Sequence, residues 1–99
     1  MKGMSFREFY DAVFYGTDMD LKCGNEYYHI SSGRNAKGQY GVLVYKQNAS
    51  PDAVPTEYDK VYDEECEDRV VLMENLMQAP IFGQRSLWEE KERVEVLYF

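Results

Sequence analysis

Ser5-Phe6-Arg7-Glu8 opens a stretch in which apolar side chains fall at Phe6, Phe9, Tyr10, Val13 and Phe14, ahead of Gly16. No other segment restricts the fold so tightly. The i, i+3, i+4, i+7, i+8 spacing draws one apolar stripe down a helix and demands a surface to cover it. The Ser5 hydroxyl and the Glu8 carboxylate are placed to cap each other's backbone amides. Gly16 is placed to end the helix in the left-handed conformation. Residues 6–15 are therefore predicted as an amphipathic helix.

Beyond Gly16 the apolar pattern changes to a period of two. Met19-Asp20-Leu21-Lys22-Cys23 has strand spacing, Gly24-Asn25 offers a tight turn, and residues 26–31 return as a second strand. A polar loop at 32–38 leads to a third strand at 39–47, apolar enough to lie in the middle of a sheet. Pro51 and Pro55 mark 48–57 as a surface loop. Residues 58–62 are predicted as a short strand and 65–78 as a helix. Val70, Met73 and Met77, or Leu72, Leu76 and Ala79, would form its buried stripe, with Glu65, Glu67 and Asp68 in its first turn. A second capping box, Ser86 to Glu89, opens a short helix to about Arg93, and 94–99 close as a strand. This order predicts an α+β domain spanning 1–99, a small antiparallel sheet of 3–5 strands packed with an N-terminal helix and one or two C-terminal helices.

Charge is distributed unevenly. Residues 1–50 are nearly balanced, whereas 51–99 hold thirteen Asp and Glu against five Lys and Arg, and the chain carries a net −7. Such a surface repels nucleic acid and anionic membranes and attracts basic proteins. An aromatic content of 15%, nine of these residues being Tyr, argues against a disordered acidic chain. Cys23 and Cys66 make no disulfide framework and are expected as reduced thiols. No apolar h-region stands behind Lys2, and no run approaches a membrane span, so a cytoplasmic protein is expected. The sequon at Asn48-Ala49-Ser50 carries no weight without secretion.

Little in the chain suggests catalysis or a cofactor. His29 is the only histidine, set in a predicted strand, and Ser31 and Ser32 beside it make no triad. Catalysis would need Cys23 and His29 to meet across the 24–25 turn. Asp18-Met19-Asp20 begins like a calcium loop but places Lys22 at the fifth position and closes with no Glu. Gly33 to Gly38 has phosphate-loop glycines without the Lys-Ser/Thr pair that must follow. Exposed Tyr beside Arg34 and Lys37 could stack bases only against the bulk repulsion of the chain. The expectation is a non-enzymatic protein with no cofactor and no metal.

The acidic stretch is the candidate binding surface. Asp59, Asp63, Glu64, Glu65, Glu67, Asp68 and Glu74 would carry its charge, and Tyr58 and Tyr62 would pack at its rim. Carboxylates at helical i, i+3 and i+4 spacing stand about as far apart as successive phosphates, ~6–7 Å, and so would imitate nucleic acid.

The run Leu76 to Glu89, containing Pro80-Ile81-Phe82-Gly83-Gln84-Arg85-Ser86-Leu87, together with Val94-Glu95-Val96-Leu97, resembles small acidic proteins of phages and conjugative elements of Gram-positive bacteria. The layout is also similar to that of DNA-mimicking anti-CRISPR proteins. That likeness is architectural and carries over no functional residue. It implies a mobile-element inhibitor or modulator of a host nucleic-acid-binding protein, such as a CRISPR effector nuclease. Such a protein would occupy the host protein's basic groove as a monomer or weak dimer. The other expectation is an accessory subunit of a phage or conjugative-element assembly, held by apolar surface around Ile81, Phe82 and Trp88.

Overall fold

A computed structural model describes residues 1–47 and 60–98, with only the backbone of Tyr98. The capping box forms as expected: Ser5 accepts from the Glu8 amide at 3.1 Å, and Glu8 returns the bond to the Ser5 amide. Helix α1 covers Phe6–Phe14, and Gly16 follows with φ +92°, a conformation in which a Cβ would be strained. Strands β1 (Met19–Cys23), β2 (Glu26–Arg34), β3 (Tyr40–Gln47) and β4 (Lys60–Cys66) come next. Helices α2 (Arg69–Gln78) and α3 (Leu87–Glu90) precede β5 (Val94–Tyr98). The protein is an α+β fold built on one antiparallel five-stranded sheet in the order β4-β3-β2-β1-β5.

The period of two sorts the sheet into two faces. Met19, Leu21 and Cys23 of β1, Tyr28 and Ile30 of β2, Val42 and Val44 of β3, and Val94 and Val96 of β5 are buried on the inner face. Against them pack Phe9 and Val13 of α1 and Leu72, Met73, Leu76 and Met77 of α2. Ile81, Phe82 and Leu87 complete the core, and the Phe82 ring meets Tyr28 edge-on at 4.8 Å. The outer face carries Asp20, Tyr27, His29, Leu43 and Tyr45, half-buried, with Asp63 and Glu65 exposed.

The two sheet edges differ. Lys2 pairs with β5, donating its amide to Val94 O at 2.9 Å and accepting from the Val96 amide at 2.8 Å. Gly3 beside it has φ +90°, and a Cβ there would stand 2.3 Å from Val96 O, so only glycine allows this approach. On the far side of β4 no other strand pairs among the described residues.

Four elements depart from expectation, one of them α3, which ends at Glu90 rather than near Arg93. Residues 32–34 are strand rather than loop, because the turn is confined to 35–39. There the Asn35 side chain accepts from the Lys37 and Gln39 amides, a turn device that lets Ser32 and Arg34 pair with Val42 and Tyr40. Strand β4 runs to Cys66 instead of stopping at Tyr62, and α2 begins at Arg69 rather than 65. Asp68 thus caps the helix from outside, accepting from the Val70 amide at 2.9 Å. The buried stripe of α2 combines parts of both expected sets, leaving Val70 51% exposed. The loop expected at 48–57 and the sequon lie outside the described residues.

Candidate functional site

Strand β4 determines how the acidic residues are displayed. Asp63 and Glu65 point to the outer face, and Tyr62, Glu64 and Cys66 to the inner. Helical spacing therefore does not apply to Asp63, Glu64 and Glu65. Strand alternation separates neighbours and places same-face carboxylates two residues, about 6.7 Å, apart. Asp63 and Glu65 stand beside a shallow groove of about 390 Å³ on the outer face. Gly33 and Gly41, paired across β2 and β3, leave part of that groove's floor without side chains, beside Ser31, Leu43 and Tyr45.

Several expected contact residues have internal duties. Tyr62 packs against the core, so it is not a rim residue, and its hydroxyl donates to the Glu64 carboxylate. Burial first, and Glu64 second, push the Tyr62 phenol well above the ordinary tyrosine range. Glu64 also accepts from Asn75 Nδ2 of α2 at 2.6 Å. Asp63 holds Lys60 at 3.1 Å, and Asp68 is committed to its helix cap. Tyr58 and Asp59 lie outside the described residues. Glu65, Glu67 and Glu74 remain, exposed and without an ion pair among the described residues. Glu65 points from the outer face of β4, Glu67 lies between β4 and α2, and Glu74 is on the exposed side of α2, the helix that covers the inner face.

Other polar groups resolve the remaining expectations. Cys23 and His29 do not meet: Cys23 faces the core, and His29 lies on the outer face with its Nδ1 2.7 Å from Asp20 Oδ1. The thiol's neighbour is instead Glu90 of α3, its Oε2 4.0 Å from Sγ. Burial, then the Glu90 carboxylate, raise the Cys23 pKa, the reverse of what a nucleophile needs. Glu90 is itself buried yet charged, gripped by Arg85 at 2.8 Å and Arg93 at 2.9 Å. The Arg85 hydrogen bond holds its carboxyl below the ordinary range against the opposing effect of burial. Of this hub only the i, i+3 spacing of Glu90 and Arg93 is local in sequence; Cys23 comes from the β1–β2 hairpin and Arg85 from the turn before α3.

Ile81 and Phe82 are buried, and of the three expected residues only Trp88, 56% exposed, offers a large apolar surface. Its ring meets Phe6 edge-on at 5.7 Å and carries Lys91 Nζ at 3.5 Å. Among the described residues no group of three His, Cys, Asp or Glu side chains is placed to share a metal ion. No described helix is long and apolar enough to cross a membrane. No protein-family model, curated protein or solved structure matches the chain.

Proposed function

We propose that this chain is a non-enzymatic acidic docking module whose β4–α2 edge binds a basic protein surface. In this reading it inhibits or modulates a nucleic-acid-binding protein by occupying its basic groove. The observation that carries the reading is that Glu65, Glu67 and Glu74, in β4, the following turn and α2, are all exposed with no cation of the molecule's own paired to them among the described residues. The chain's cations are in part engaged elsewhere: Arg85 and Arg93 hold Glu90, and Lys46 holds Glu26 at 3.4 Å. Uncompensated exposed carboxylates produce a field that steers cationic partners at long range and weakens with salt. The same-face step of a strand, about 6.7 Å, gives Asp63 and Glu65 a phosphate-like spacing.

The test is capture of partners from a bacterial lysate by immobilised protein at low and high salt, followed by affinity measurement on the captured partner. Glu65→Lys, Glu67→Lys and Glu74→Lys combined should weaken binding at least ~100-fold, because like charges then face the basic groove. Glu64 and Asp68 are left intact in this variant because their carboxylates serve the fold. Full affinity in the folded triple variant would rule the proposal out. A Trp88→Ala variant separates the accessory-subunit reading, which requires that ring; docking through β4 does not.

A further inference from the structure

We propose that the corner where α1 ends and α2 begins is a binding site for a compact aromatic phosphate, of the size of a nucleoside monophosphate. Arg34, Tyr40 and Cys66 form the last cross-strand row of the inner face, beyond the main core. The Arg34 guanidinium lies 4.8 Å from the Tyr40 ring centroid and donates through Nη2 to the Tyr40 hydroxyl. Arg69, the first residue of α2, sets its guanidinium 4.3 Å from the same centroid and 4.7 Å from that of Phe14. Two cations thus share one ring. Neither forms an ion pair among the described residues, although the chain is strongly acidic and the other pair of arginines, Arg85 and Arg93, is held by Glu90. Lys37 is exposed on the turn that joins the Arg34 and Tyr40 strands.

Two guanidiniums beside one ring repel each other, and the ring's negative face offsets that only in part. A phosphate bridging them would remove the repulsion and accept from N–H groups that no described carboxylate holds in an ion pair. The Arg34 hydrogen bond also lowers the Tyr40 phenol pKa, which is consistent with a locally positive corner. The aromatic part of the ligand has a place as well. Tyr15 at the end of α1 is 74% exposed and rests edge-on against Phe14, leaving ring surface for stacking. Glu67 and Asp68 stand immediately before Arg69, so a long polyanion would run onto the acidic edge. That contrast favours one nucleotide unit over a nucleic-acid strand.

The test is titration of the ¹⁵N-labelled protein at low ionic strength with adenosine 5′-monophosphate, inorganic phosphate, adenosine and a decathymidylate. Saturable shifts at residues 14–15, 34–40 and 69 are expected with the monophosphate, which should bind about tenfold tighter than phosphate. Arg34→Gln, at an exposed position, should keep the fold and weaken the monophosphate by at least ~5-fold. Tyr15→Ala should bring it down to the level of phosphate alone. No saturation by about 10 mM, unchanged affinity in folded Arg34→Gln, or tighter binding of decathymidylate would each overturn the proposal.

Discussion

Glu64 of the edge strand accepts a hydrogen bond from Asn75 of α2 at 2.6 Å, and one carboxylate of the acidic stretch thereby fastens β4 to the helix packed beneath it. With the Tyr62 hydroxyl donating to its other oxygen, Glu64 belongs to the structure rather than to the display. Hydrogen bonds to a partly exposed charged group contribute on the order of 1 kcal/mol, so Glu64→Ala should lower the melting temperature by roughly 5 °C. The same substitution at Glu67, which makes no such bond, should leave it within about a degree. Thermal melts followed by circular dichroism check both.

Tyr62 gives this link an alkaline signature. Its folded pKa lies above the ordinary 10.0, raised first by burial and then by Glu64. Its contribution to stability is complete below pH 10 and is lost as the pH climbs past that value, where the unfolded chain ionises and the folded one does not. Urea melts from pH 8 to 11 should show stability falling above about pH 10, less steeply in Glu64→Gln.

Glu90 acts at the opposite end of the pH scale. Its folded pKa lies below the ordinary 4.5, lowered chiefly by Arg85. The stabilisation is complete above that ordinary value and fades as the pH drops below it toward the folded pKa. Glu90→Gln should melt several degrees below the wild type at pH 7, and the gap should narrow by about pH 3. A gap that is constant with pH would detach the hub from Glu90's charge.

The two cysteines should be told apart by chemistry. Cys23 is 8% exposed with a raised pKa, while Cys66 is half-buried at the end of β4. In the native protein at pH 8, a thiol-specific disulfide reagent should label Cys66 at least ~10 times faster than Cys23, and both should react together in denaturant. Peptide mass spectrometry reads the order.

Core and surface positions on α2 should separate just as clearly. Leu76 is fully buried, and Leu76→Ala should cost about 2–5 kcal/mol. Val70, on the same helix, is half exposed, and Val70→Ala should stay within about 0.5 kcal/mol. Urea denaturation of the two variants makes the comparison.

Local signals explain why α1 and the β1–β2 hairpin were legible in the sequence: a capping box, a helical stripe, a terminal Gly16 and a two-residue turn all act over short distances. The acidic segment was not legible to the same degree. Asp63, Glu64 and Glu65 have little intrinsic preference for a strand, and only pairing with Leu43, Val42 and Gly41 of β3 makes them one. That pairing reversed the role of Tyr62 and Glu64, turning two expected contact residues inward. The Arg34–Tyr40–Arg69 corner was legible only in part, because α2 meets the β2–β3 hairpin there only after folding. Arg34 beside an aromatic was visible; Arg69 was not.

The docking edge is tested most directly by mapping a captured partner onto the ¹⁵N-labelled protein by NMR. Docking through β4 and α2 should concentrate shifts and line broadening at residues 63–67 and around Glu74, fading as salt is raised through about 0.5 M. Perturbations centred instead on Trp88, or spread evenly and insensitive to salt, would contradict it.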